Sequence, residues 1–165
     1  MSSTIIPGAE LEYRGEIWEV MYHDADSFDT LPSDIISQVY GVCFWGHQML
    51  IGLGRRDRWA LLGGSPESGE TWQNTLEREI REEANMRVVS SSPLGYQDLT
   101  NTSGVRQVQL RAFAFVEPIG PFVADPAGGI KQIKLIDPFT WREYFDWGTI
   151  GEHLVNRGIS LAISH

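Results

Sequence analysis

The chain has 165 residues, 42% of them apolar and 21% charged, with a formal net charge of −9 and one cysteine. That length carries one domain (1–165) with a proper core, and the acidic balance excludes long-range attraction to nucleic acid or anionic membranes. A lone cysteine, Cys43, excludes an intrachain disulfide, and apolar runs such as 39–45 fall far short of the ~18 residues that cross a bilayer.

The chain starts without a basic region followed by an apolar one, so no signal peptide is expected and the cytoplasm is the expected compartment. Residues 9–22 alternate around Arg14-Gly15 and predict a short hairpin. Polar, acidic residues 23–33, interrupted by Pro32, predict a loop that completes an N-terminal segment over 1–33. Residues 35–45 and 49–55, separated by Gly46-His47-Gln48, predict two strands paired as a hairpin at the heart of a sheet, with Cys43 as a small core residue. Arg55, Arg56 and Arg58 then form the densest basic cluster in an acidic protein. They read either as a solvated turn or as phosphate contacts.

A strand over 59–62 leads into a glycine-rich loop and a helix predicted over 71–84. Wound at about 100° per residue, that helix places Trp72, Leu76, Ile80 and Ala84 on one apolar stripe. Glu79, Glu82 and Glu83 fall within roughly 100° of one another, beside the stripe rather than opposite it. At about 5 Å and an effective dielectric near 20, each like-charge pair costs about 3 kcal/mol. Two readings stand: a solvated acidic face with local arginine pairs, or a cluster for a hard divalent cation such as Mg²⁺ or Mn²⁺.

Beyond the helix, 86–89 predicts a strand broken by Ser90-Ser91-Ser92-Pro93 and taken up again at 96–99. Residues 105–116 alternate most clearly of all and predict a strand. Residues 117–129, rich in proline and glycine, predict a long loop, and 130–136 another strand. Two C-terminal helices within 138–165 follow, over 139–145 and 150–156, the second stopped by Gly158. The fold class expected is α/β: a mixed β-sheet between helices.

Residues 64–86, read as Gly64, five residues, Glu70, seven residues, then Arg78-Glu79-Ile80-Arg81-Glu82-Glu83-Ala84-Asn85-Met86, resemble the Nudix box, G-x5-E-x7-R-E-U-x-E-E-x-G-U, the signature of the Nudix hydrolases. One position departs: Asn85 stands where the family has glycine. It ends the helix, where a left-handed backbone is expected and asparagine is the commonest substitute.

The resemblance implies an α/β/α sandwich that hydrolyses a diphosphate bond in a nucleoside diphosphate linked to another moiety, with Mg²⁺ or Mn²⁺ as cofactor. It implies Glu79, Glu82 and Glu83 as catalytic and metal-holding residues, a backbone carbonyl at Gly63 or Gly64 as a further ligand, and Glu70 with Arg78 as the pair tying loop to helix. Glu67 is an outer candidate. A general base outside the box is sought among Asp98, Glu117 and Asp125. Trp59, Trp141 and Trp147 are read either as core or as platforms for a base. The expected partner is a small nucleotide-diphosphate substrate, with no membrane and no stable nucleic-acid binding, and a homodimer contact is one role open to the N-terminal piece. Pro93 and Tyr96 stand too close to the box to match a subfamily signature, so the resemblance names no substrate. The alternative function is a nucleotide-sensing Nudix-fold module without catalysis.

Overall fold

The computed structural model describes residues 4–124 and 128–164. Strands β1 (Ile5–Pro7), β2 (Leu11–Tyr13) and β3 (Glu16–Asp24) come first, β2 and β3 forming the predicted hairpin around Arg14-Gly15, both at positive φ. Next come β4 (Ile36–Trp45), β5 (Gln48–Leu53), β6 (Trp59–Ala60) and β7 (Leu62–Gly64). Helix α1 (Trp72–Ala84), the long strands β8 (Met86–Asn101) and β9 (Arg106–Pro118), β10 (Gln132–Ile136), a 3-10 segment (Pro138–Glu143) and helix α2 (Gly148–Ile163) complete the chain.

The strands join one mixed sheet in the order β1-β3-β8-β9-β4-β5-β10, antiparallel except where β4 runs parallel to β9. Side chains alternate across it, so β4 sends Val39 and Cys43 to one face and Tyr40, Val42 and Phe44 to the other. Leu76, Ile80 and Ala84 of α1 pack on the first face with Leu110, Ala112 and Ala114. Leu154, Val155, Ile159 and Ala162 of α2 cover the second with Phe113 and Ile51. The result is a mixed sheet between helices. Burial pushes the Cys43 thiol up to about 12, and among the described residues no helix is long and apolar enough to cross a membrane.

Five expectations are corrected. Strands β4 and β5 pair only at Phe44–Met49 and Trp45–Gln48 before diverging. Into the gap come β6, which pairs with β5, and β7, which pairs with β4, so the strand expected over 59–62 is two short ones. That crossing carries Gly63 and Gly64 beside α1. Strand β8 is continuous through Ser90-Ser91-Ser92-Pro93, because register shifts at Val88/Ser90 and Pro93/Gly95 absorb the irregular stretch. Strand β3 pairs with β8 only from Gly95 onward, so Pro93 stands where β8 has one strand neighbour, a setting that tolerates a missing N–H. The segment expected as a helix over 139–145 is the 3-10 segment, its first turn capped by Asp137 Oδ1 accepting from the Phe139 N–H at 3.0 Å. Helix α2 runs on past Gly158. A Cβ there would meet Val42 Cγ1 at 2.7 Å, so this glycine serves close packing on the sheet rather than a helix stop. Asp24 fastens α2 to β3 through His153 Nε2 (2.8 Å) and Arg157 Nη1 (3.2 Å).

Candidate active site

The N-terminus of α1 is built by a capping box. Thr71 Oγ1 accepts from the Asn74 N–H at 3.1 Å, and Asn74 Oδ1 accepts from the Thr71 N–H at 3.4 Å. The other end stops at Asn85, whose φ of 53° and ψ of 44° are left-handed. Asn85 does more than a glycine would. Its Nδ2 donates to Pro121 O at 2.9 Å and its carbonyl accepts from the Ile119 N–H at 3.0 Å, tying the loop after β9 to the helix end.

Arg78 is the hub between loop and helix. It donates to both oxygens of Glu70 and, through Nη2, to Ser65 O at 3.0 Å. Its Nη1 donates to Glu79 Oε1 at 2.9 Å and stands 3.5 Å from Glu82 Oε2. Glu70 also accepts from the Glu67 N–H (2.8 Å) and the Thr75 hydroxyl (3.0 Å). Arg78, followed by the Glu67 N–H, holds the Glu70 carboxyl down at about 2. Glu67 itself is exposed, 3.8 Å from Arg78 Nε.

Two glycines let this loop close on the helix. A Cβ on Gly63 would collide with the backbone of Val39 and Tyr40, and one on Gly64 with the Glu79 carboxylate. The approach puts the Gly63 N–H 3.0 Å from Glu83 Oε1 as its donor. Glu79, Glu82 and Glu83 line one cleft of about 130 Å³ with Gly128, Gly129 and Ile130. Burial, then the neighbouring Glu79 charge, pushes Glu83 up to about 8. Burial also raises Glu79, against the pull of Arg78.

An all-oxygen set with an excess of negative charge and one protonatable member fits a hard divalent cation, which would displace the proton. Among the described residues, though, no three such side chains converge on one point that would hold a metal ion. Local bonds keep them apart: Arg78 engages Glu79 and the Gly63 N–H engages Glu83.

Of the basic cluster, Arg55 lies beside Gly129, one of the residues that line this cleft. Its Nε would stand 3.5 Å from a Cβ on Gly129. Arg56 and Arg58 are exposed on the same turn. Two of the base candidates lie outside this lining. Asp98 on β8 pairs with Arg106 at 2.9 Å, Glu117 on β9 pairs with Arg87, and Asp125 lies outside the described residues. Trp141 is buried in the core, Trp59 carries Lys134 over its ring, and Trp147 faces a buried arginine, Arg111. Arg111 gave no signal in the sequence, because one charge in an alternating strand reads as a solvent-facing position.

A mixed sheet between two helices is a fold shared with solved hydrolases. A mutant of the Bacillus subtilis pyrophosphohydrolase BsRppH aligns with a TM-score of 0.62 at 19% identity, covering 93% of this chain and 97% of that one. A MutT NUDIX hydrolase from Burkholderia pseudomallei aligns at 0.56 and 15% identity (73% and 96% covered). A NUDIX hydrolase from Nitrosomonas europaea aligns at 0.55 and 16% (73% and 85%). No curated protein matches the chain in sequence. The NUDIX domain profile matches residues 41–142. The chain belongs to the NUDIX family.

Proposed function

We propose that the chain hydrolyses a diphosphate bond in a nucleoside diphosphate linked to a second moiety, with Glu79, Glu82, Glu83 and the Gly64 carbonyl holding Mg²⁺ or Mn²⁺. One observation carries this reading: three glutamates of α1 share a cleft against the Gly63-Gly64 loop, and burial with mutual repulsion lifts Glu83 to about 8. A stability-driven surface would turn these carboxylates to water; here Glu83 is buried beside Glu79, as at a functional site.

When bound, the cation would screen the diphosphate charge and activate water. The chain's own groups do the rest. Arg78 holds the loop to the helix through Glu70 and Ser65, fixing where Gly64 sits relative to Glu79. Glu83, raised to about 8 by burial and the Glu79 charge before the cation arrives, would give up its proton as the cation is taken up. Arg55, against Gly129 at the rim, brings positive charge to an acidic protein where a phosphate would arrive.

The test is phosphate and nucleotide release from nucleotide sugars, deoxynucleoside triphosphates, ADP-ribose and dinucleoside polyphosphates, with Mg²⁺, Mn²⁺ or chelator. Metal-dependent cleavage of one class is expected. Binding of a nucleotide without turnover under every metal condition would instead make the chain a sensing module.

A further inference from the structure

A cleft of about 400 Å³ opens where the β4–β5 turn, the 3-10 segment and the last turn of α2 meet. It is remote from the glutamates. Phe44 of β4 lines it, while Val39, five residues back on the same strand, pairs with Gly64 on β7. The separation is on the order of 16 Å along the strand. Phe44 also packs with α2, whereas α1 and its glutamates lie across the sheet.

The lining divides into two walls. Phe44 and the end of α2, with Ile159 and Ile163, form an apolar one. His47, Gln48 and Asp137 form a polar one, because Ile136 pairs with Met49 and so sets Asp137 beside the β4–β5 turn. Phe139 on the rim is 74% exposed and Ile163 67%. Phe139 does not sit on a loose loop. Its N–H donates to Asp137 Oδ1 at 3.0 Å, and the Thr140 hydroxyl donates to Asp137 O at 2.7 Å, which fixes the turn. A pocket of this size, mostly apolar with a few polar groups on one side, is the form that small-molecule sites take.

Charge decides which small molecule fits. Asp137 Oδ1 is taken by the cap, but among the described residues Oδ2 enters no hydrogen bond or ion pair. Helix α2 ends here with the negative end of its dipole and no basic residue in its last turn. Among the described residues no lysine or arginine lines the cleft, and the chain as a whole carries −9. That field repels a nucleotide, any other anion and a second copy of the chain. An uncharged ring would use the apolar wall alone. A ring with a protonated amine meets both walls.

We infer that this cleft is a second ligand site and takes a small organic cation, an apolar ring bearing a protonated amine, with the ring against Phe44, Phe139 and Ile163 and the ammonium donating to Asp137 Oδ2. The inference goes beyond the hydrolase reading and stands independently of it. Tryptamine, indole and indole-3-acetate share a ring and differ in the charge of the side group, so they are the probes, titrated into the full chain by calorimetry in chelator. Tryptamine is expected to bind at least tenfold more tightly than indole-3-acetate and several-fold more tightly than indole. Asp137→Asn keeps an oxygen for the Phe139 N–H and is expected to bring tryptamine down to the level of indole, with indole itself unchanged. Should that variant not fold, Ile163→Lys, at an exposed position, carries the comparison: an ammonium on the rim is expected to remove the preference for tryptamine. Equal affinity for tryptamine and indole-3-acetate, a preference for tryptamine that survives these substitutions, or no tryptamine binding at millimolar concentration would overturn the inference. So would a chain that sediments as a dimer and becomes monomeric on Phe139→Ala, because a second copy would then be the occupant.

Discussion

The Arg78 guanidinium grips the Glu70 carboxylate with two parallel hydrogen bonds, Nε to Oε2 at 2.8 Å and Nη2 to Oε1 at 2.9 Å. The same guanidinium reaches Ser65 O and Glu79 Oε1, so one side chain sets the spacing of loop and helix. Such a fork is planar and cannot be reproduced by an ammonium. Arg78→Lys is expected to weaken Mg²⁺ binding by roughly 10–100-fold, as loss of an orienting partner does, measured by titration calorimetry.

Glu70 supplies a pH signature. Its folded value, about 2 against an ordinary 4.5, is depressed chiefly by Arg78. A depressed carboxylate stabilises the fold above its unfolded value and loses that contribution as pH falls through its folded value. The melting-temperature margin of wild type over Glu70→Gln is therefore expected to be full above pH 4.5 and to close as pH falls from 4.5 toward about 2. A margin that stays constant through that window would show that Arg78 does not hold the carboxylate charge.

Asn85 combines a backbone role with a side-chain one. Asn85→Gly keeps the left-handed turn and loses the bond to Pro121 O, an expected cost of about 0.5–1.5 kcal/mol. Asn85→Val loses the same bond and adds about 1–2 kcal/mol of left-handed strain. Urea unfolding distinguishes them; equal midpoints would mean that the backbone conformation carries no penalty.

Those residues were legible in the sequence because their signals are local. The helix follows from apolar steps of four and its end from Asn85, while the capping box of Thr71 and Asn74 emerged only in the structure. Gly158 and Pro93 misled because tertiary contacts override local preference: Val42 and Phe44 need a bare helix face at Gly158, and β9 holds β8 straight through its serines. The divergence of β4 from β5 was hidden because pairing partners far along the chain, β7 and β10, decide it. Arg111 was invisible for a related reason. Its burial depends on Tyr40 and Trp147, distant in sequence, arriving beside it.

Among the three arginines after β5, the structure singles out Arg55. Arg55→Gln is expected to raise KM on the order of threefold with kcat nearly unchanged, and to weaken the dependence of KM on salt, as loss of one exposed charge contact does. Arg56→Gln and Arg58→Gln are expected to change KM less. Equal effects from all three would mean that Arg55 contributes only to the general field.

The central claim is that the glutamates of α1 are gathered for a cation that does chemistry, and Glu83→Gln tests it most directly. Glutamine keeps the shape and the acceptor for the Gly63 N–H while removing a buried ionisable carboxyl beside Glu79. In chelator the variant is expected to melt at or above wild type. In saturating Mg²⁺ the order should reverse, because wild type gains RT ln(1 + [L]/Kd), about 2.7 kcal/mol at a hundredfold excess over Kd, and the variant gains less. Turnover should fall by two or more orders of magnitude (roughly 3 kcal/mol in transition-state stabilisation). A wild type whose melting point ignores Mg²⁺ and Mn²⁺, beside a Glu83→Gln variant that hydrolyses at the wild-type rate, would contradict the account.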